Sequence, residues 1–354
     1  MRTRWIVVAL SMLSIPVNAA VASEQGLIPL SAYTQAHLRI EVEPGRRLNV
    51  FCLGKGDPMV IFEAGGGDDS ASFRAVQARV ALRTRACSYD RAGIGFSDPA
   101  AWPSTAANTV ADLHRLIKVM SPGKPVVLVG HSDGGLYVPL YAATYPGDVT
   151  GMVLIDPFTV GADEIAAALL TPRQRAHWYA SDNKDIAHAR ACVELADKRL
   201  LVRPDHQMST CLDNPSSADP ARHRELNRQL ARSSEQKSLL SALIDTYPAP
   251  DQGMSAAELA LQNAHPDFGD TPLIVLTAGE DEQTDLPRKT RLAIAAAWRK
   301  NNDLLAARSR EGRNIIVPKS HHDIQKEQPA AVIDAVSKVV DAARKKSGLP
   351  ATLP

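Results

Sequence analysis

The chain carries next to no net charge: 40 Lys and Arg stand against 39 Asp and Glu in 354 residues, a formal +1. No global field therefore draws it towards nucleic acid or an anionic membrane surface, and a small molecule is the expected partner. Glycine (21 residues) and proline (24) are too few for a collagen-like chain. With 45% apolar and 22% charged residues the composition also excludes a disordered chain and suits a globular one. Cysteine is scarce, at four residues, with neither a CxxC pair nor an interleaved histidine pattern, so no metal or redox cofactor is expected. No internal repeat or long low-complexity segment is present, and no apolar run after the leader is long enough to cross a bilayer.

What is present begins with an export signal. Met1-Arg2-Thr3-Arg4 is basic, Trp5 to Val17 is mostly apolar, and Ala20-Val21-Ala22 supplies the small residues a signal peptidase needs. The apolar run, about 13 residues broken by Pro16, is short of the roughly 20 that span a membrane. Residues 1–22 therefore read as a cleaved signal peptide, and the expected destination is periplasmic or secreted, with no membrane insertion afterwards. In such a compartment Cys52, Cys87, Cys192 and Cys211 are expected to form disulfides. Spacing alone does not choose among the three connectivities.

Strand and helix patterns alternate along the rest. Leu38, Ile40 and Val42 alternate with polar residues, Leu48 to Leu53 follows, and short apolar runs then recur at Met59–Phe62, Arg85–Tyr89, Val126–Val129, Met152–Ile155, Leu273–Leu276 and Ile315–Val317. Such runs suit central strands covered on both faces. Val110, Leu113, Ile117 and Met120, and later Val332, Val336, Val339 and Ala343, repeat at helical spacing. The pattern predicts an α/β fold, doubly wound around a mostly parallel sheet. Between Asp156 and Asp270 it breaks into helical, polar and Pro-containing sequence with no convincing strand. The expected domains are a core over 23–156 and 271–354, with a helical lid inserted at 157–270.

The strongest motif is Gly130-His131-Ser132-Asp133-Gly134, a G-x-S-x-G that follows the apolar strand Val126–Val129 and precedes helical sequence. Such a turn thrusts the serine hydroxyl upward at a helix N-terminus, where developing negative charge is stabilised. Serine needs a base from a distant loop, and the adjacent His321 and His322 follow the last strand. His131 and the remaining histidines read as surface or structural.

Several further motifs resemble those of the α/β-hydrolase superfamily. Phe62-Glu63-Ala64-Gly65-Gly66-Gly67 resembles its oxyanion loop, with Glu-Ala where many members have an apolar-His pair. Tyr89-Asp90-Arg91-Ala92-Gly93-Ile94-Gly95-Phe96-Ser97 resembles its loop after the fourth strand, and an Asp90–Arg91 ion pair shaping the site is expected there. Ser320-His321-His322-Asp323-Ile324-Gln325 resembles S-G-H-x-I-Q, which makes His322 the base. The resemblance covers nearly everything after the leader and implies an eight-stranded sheet. It also implies oxyanion donors in the backbone N–H groups of Gly66 and Asp133, the Asp133 side chain being incidental. For the triad acid it offers Asp156, after the sixth strand, or Asp281, after the seventh, with Glu282 and Asp285 as lesser choices. A serine, not an aspartate, at the nucleophile position separates the chain from the dehalogenase and epoxide-hydrolase branches. In the usual strand order the second and fourth strands are neighbours, so Cys52–Cys87 and Cys192–Cys211 are the implied disulfides.

The activity implied is cleavage of a carboxylic ester or lactone through a Ser132 acyl-enzyme. A peptidase or amidase of the same fold, or a binding protein that keeps the pocket without catalysis, are the alternatives. Asp163, Glu164, Asp182 and Glu194 of the insertion, the residues a peptidase would need for a substrate amine, read as a solvated helix face.

Overall fold

The computed structural model describes residues 26–202, 210–212, 219–247, 253–280 and 286–347. The leader and Asp281, Glu282 and Asp285 lie outside the described residues.

A hairpin opens the fold: β1 (Leu38–Glu43) pairs antiparallel with β2 (Arg46–Leu53). Then follow β3 (Val60–Glu63), β4 (Ala86–Tyr89), β5 (Val126–His131), β6 (Val149–Ile155), β7 (Leu273–Ala278) and β8 (Gly312–Val317). They form one eight-stranded sheet in the order β1-β2-β4-β3-β5-β6-β7-β8. β2 meets β4 antiparallel, and every pairing from β4 to β8 is parallel. Cys52 and Cys87 sit opposite each other in the β2–β4 ladder and are joined by an S–S bond of 2.11 Å.

The central strands are apolar on both faces because both are covered, and the period of two sorts their side chains. Ile61, Leu128, Met152 and Leu154 pack with Leu113, Leu116, Ile117 and Tyr141 from α2 (Ala106–Met120) and α3 (Gly134–Thr144). Val60, Phe62, Val127, Val129 and Val153 pack on the opposite face with Val332, Val336, Val339 and Val340. Those four valines form one stripe of α11 (Pro329–Ser347), and each fully buried one contributes roughly 1.5–3 kcal/mol. The run Ile315–Val317 differs from the central strands it resembles in sequence: β8 is the sheet edge, and Ile315 and Ile316 are exposed.

Helix α1 (Gln77–Val80) precedes β4, and α9 (Arg288–Ala306) and α10 (Ile324–Glu327) flank β8. Between β6 and β7 the chain leaves the sheet as α4 (Ala162–Ala168), α5 (Pro172–Asp197), α6 (Pro220–Leu230), α7 (Ser233–Thr246) and α8 (Ala256–Asn263). Local chemistry starts two of these. Thr171 and Gln174 form a capping box with Pro172 at the first position of α5, and Ser255 and Glu258 form another at α8. Cys192 on α5 is bonded to Cys211 at 2.04 Å within a small cluster with Ala196 and Leu201. Ala257 and Leu261 of α8 join the main core beside α2 and α3, which fastens the end of the insertion to the sheet layer. No helix among the described residues is long and apolar enough to cross a membrane.

Candidate active site

Ser132 stands between the end of β5 and the start of α3 with a φ of 53°, a left-handed conformation that serine rarely adopts. Close packing holds it there. A Cβ on Gly130 would lie 2.2 Å from the Gly134 carbonyl oxygen, and one on Gly134 would lie 2.4 Å from that of Glu63, so both positions admit only glycine. The Ser132 N–H donates to Ile155 (3.1 Å), and its carbonyl accepts from Gly135 (2.8 Å) and Phe158 (2.9 Å). Strain of this kind persists where the surroundings over-determine it.

Asp156 follows β6 immediately and shares the unusual conformation, with φ 37°. Its N–H donates to Leu276 (2.7 Å), and its Oδ1 accepts from the Ala278 N–H (3.0 Å), so the neighbouring strand β7 fixes both backbone and carboxylate. The other oxygen, Oδ2, lies 2.7 Å from Nδ1 of His322, which the loop after β8 delivers. With Nδ1–H donating to the carboxylate, Nε2 is the nitrogen able to accept a proton. His321 faces elsewhere: it is exposed, and its Nδ1 lies 3.3 Å from Glu327. The structure thus brings His322 and Asp156 together at the strand ends that also carry Ser132.

The loop Gly65–Gly67 after β3 faces Ser132. Among the described residues the N–H groups of Gly66 and Asp133 donate to no protein acceptor. The loop's carbonyls are held from behind by Arg91, whose guanidinium donates to those of Ala64 (2.7 Å) and Gly65 (2.5 Å) and to the Glu63 carboxylate (2.9 Å). Glu63 is fully buried and also accepts from the Tyr89 hydroxyl. Burial pushes its carboxyl pKa up, against the pull of Arg91 and Tyr89. The expected Asp90–Arg91 pair does not form. Tyr89 and Arg91 leave the extended segment on one side towards Glu63, while Asp90 leaves on the other. There it accepts from Ser70 N–H (2.9 Å), Phe96 N–H (2.9 Å) and Asn49 Nδ2 (2.8 Å). The signal for this clamp was the glutamate at position 63, an odd residue in an apolar strand.

Two carboxylates of the insertion also differ from the reading as a solvated face. Asp163 and Asp182 are half-buried where α4 and α5 fold over the core, and each has an oxygen shielded from solvent. Burial first, then the field of neighbouring carboxylates, raises Asp163 to about 6 and Asp182 to about 7. Glu164 and Glu194 are exposed, as a solvated face requires. The Asp133 side chain lies against the oxyanion loop, 2.7 Å from where a Cβ on Gly66 would stand, and burial raises its pKa as well. A cavity of about 200 Å³ lies between Asp163 and the Asp156–His322 pair, lined also by Trp178, Thr277 and Trp298 among others.

Among the described residues two side-chain groups are compact enough to ligate a metal, and neither suits one. In His188, Cys192 and Cys211 the sulfurs are joined in a disulfide. In Asp68, His131 and Asp323 the Lys326 ammonium already lies 3.1 Å from Asp323 and 4.0 Å from Asp68.

Residues 60–335 match the family model described as the alpha/beta hydrolase family. The chain belongs to the alpha/beta hydrolase family. Among curated relatives, it is 35% identical over 104 residues to the uncharacterized protein YqjL of Bacillus subtilis, covering 29% of this chain and 41% of that protein. It is 34% identical over 116 residues to 2-(acetamidomethylene)succinate hydrolase of Mesorhizobium japonicum, covering 32% and 41%. The chain thus matches about two fifths of the length of these two curated relatives. Among solved structures, the haloalkane dehalogenase DatA of Agrobacterium tumefaciens superposes with a TM-score of 0.60 at 16% identity, over 86% of this chain and 97% of that one. The epoxide hydrolase CorEH gives 0.58 at 17%, over 86% and 98%. At such identities the two structures speak for the fold alone.

Proposed function

We propose that this alpha/beta hydrolase is an exported serine hydrolase that cleaves a carboxylic ester or lactone through a Ser132 acyl-enzyme. The observation that carries the reading is the 2.7 Å contact between His322 Nδ1 and Asp156 Oδ2 at the same strand-end edge as the strained Ser132 turn. In this mechanism the Ser132 hydroxyl attacks the substrate carbonyl and His322 Nε2 takes its proton. The Gly66 and Asp133 N–H groups, which spend no hydrogen bond within the described protein, stabilise the oxyanion. His322 then protonates the leaving alkoxide. Water, deprotonated by the same imidazole, releases the acid and restores the serine. Asp156 holds the imidazole in the Nδ1–H tautomer and balances its charge when protonated.

The insertion acts as the lid over the acyl pocket. Export is supported by the basic-then-apolar leader and by two disulfides in a chain with only four cysteines, which suit a secreted or periplasmic location.

A second reading, a peptidase or amidase acting on amine-bearing substrates, draws on Asp163 and Asp182, whose half-buried carboxylates could pair with an ammonium group. One experiment tests both. Fluorophosphonate should label the wild type and leave Ser132→Ala unmarked, and kcat/KM should be higher on short or medium acyl p-nitrophenyl esters than on aminoacyl or prolyl anilides. Labelling that survives in Ser132→Ala would overturn the mechanism. A clear preference for anilides, lost in Asp163→Asn and Asp182→Asn, would establish the second reading instead.

A further inference from the structure

His131 sits directly before the candidate nucleophile, yet its ring does not face solvent: the residue is 3% exposed. Its Nε2 lies 3.0 Å from the backbone carbonyl oxygen of His322, and the two rings are tilted at 44° with centroids 4.8 Å apart. A carbonyl only accepts, so Nε2 must carry the proton. The other nitrogen, Nδ1, is buried and faces the oxyanion loop, 2.9 Å from where a Cβ on Gly65 would stand, and it has no hydrogen-bond partner among the described residues. One residue of β5 therefore touches both the loop that carries the base and the loop that would hold the oxyanion.

We propose that His131 is a positioning residue, a neutral imidazole whose Nε2–H fixes the backbone of His322 so that the base meets Ser132 at a set distance. The proposal rests on the reading of Ser132 and His322 as nucleophile and base. The hydrogen bond of Asp156 sets the rotation of the His322 ring, while that of His131 sets where its backbone stands. The two constraints act on different degrees of freedom. The charged groups around His131 are consistent with a neutral ring. Asp68 after β3 and Asp323 after β8 favour its protonation, but the Lys326 ammonium lies between those two carboxylates. Burial and the adjacent His322 prevail, lowering the pKa to about 4. A second cation beside His322 would oppose the imidazolium that catalysis requires, so neutrality here serves the base directly.

The test compares three variants of the full mature chain by kcat and KM on a p-nitrophenyl ester, with Tm recorded for each. His131→Gln can place an amide N–H near the present Nε2 position, His131→Asn is too short to reach it, and His131→Phe keeps ring volume without a donor. We expect His131→Gln to retain kcat within about threefold, with His131→Asn and His131→Phe losing at least about tenfold in kcat at little-changed KM. Equal rates for the Gln and Asn variants would overturn the proposal, and so would a wild-type kcat in His131→Phe. If His131→Phe fails to fold, the Gln and Asn pair still decides. Failure of the underlying reading shows separately, as turnover that persists in Ser132→Ala.

Discussion

Asp156 occupies a left-handed backbone position, which aspartate tolerates better than most non-glycine residues, and two bonds with β7 hold it there. Replacing it by Asn keeps the shape but lets the amide donate to Nδ1, which favours the wrong imidazole tautomer. Asp156→Asn should lower kcat by about 10⁴-fold with the chain still folded, as steady-state kinetics beside circular dichroism will show. His131 gives a second prediction at this scale, in stability. Its pKa falls from about 6.5 in the unfolded chain to about 4 in the fold, so below pH 6.5 the unfolded state binds the extra proton. Its share of stability is complete above pH 6.5 and is lost as pH falls towards 4, a change on the order of 3 kcal/mol. Urea titrations at pH 7.0 and 4.5 should show a smaller drop for His131→Gln than for the wild type. The sequence made Ser132 and His322 candidates because each sits in a contiguous motif. It left Asp156 and Asp281 as alternatives, and it did not reveal the role of His131, because both depend on which loop tips meet in space.

Among elements, the strands and helices of the core were legible because burial on both faces leaves unbroken apolar runs and burial on one helix face leaves a stripe, as in α11. β8 was misleading, since Ile315 and Ile316 look like core residues and lie at an exposed edge. Asp163 and Asp182 looked like surface residues for the converse reason: a helix that folds over a cleft turns a polar face inward, and one-dimensional periodicity does not say what lies opposite. Their raised pKa values carry a stability consequence of opposite sign to that of His131. The unfolded chain ionises near 4 while the folded carboxyls hold their protons to about 6 and 7, so the pair weakens the fold as pH rises through that window. Asp182→Asn should therefore raise Tm at pH 8 more than at pH 5. The Cys192–Cys211 bond closes a sequence separation of 19, and a loop of that size constrains the unfolded chain by about 3 kcal/mol. A Cys192→Ser, Cys211→Ser double variant should lose that amount in chemical denaturation. Its insertion should become protease-sensitive before the sheet does.

For the molecule as a whole, the mostly parallel sheet gathers the chemistry at one edge. Ser132, Asp156 and His322 each follow the end of a strand, and the bonds that fix Asp156 come from β7, not from α4 to α7. The carboxylate that meets His322 is therefore held by the sheet, while the Phe158 N–H at the start of the insertion reaches the Ser132 carbonyl. Among the described residues the insertion is fastened to the core through Ala257 and Leu261 of α8, through Arg222 of α6, which pairs with Asp69, and through Asp245 of α7, which accepts from the Ala106 N–H at the start of α2. An exchange of the helices from α5 to α7 therefore has to preserve the Arg222 and Asp245 anchors. A chimaera that keeps this sheet, its α8 and those two anchors but receives another family member's helices in their place should inherit the donor's choice of acyl group while keeping its own reaction.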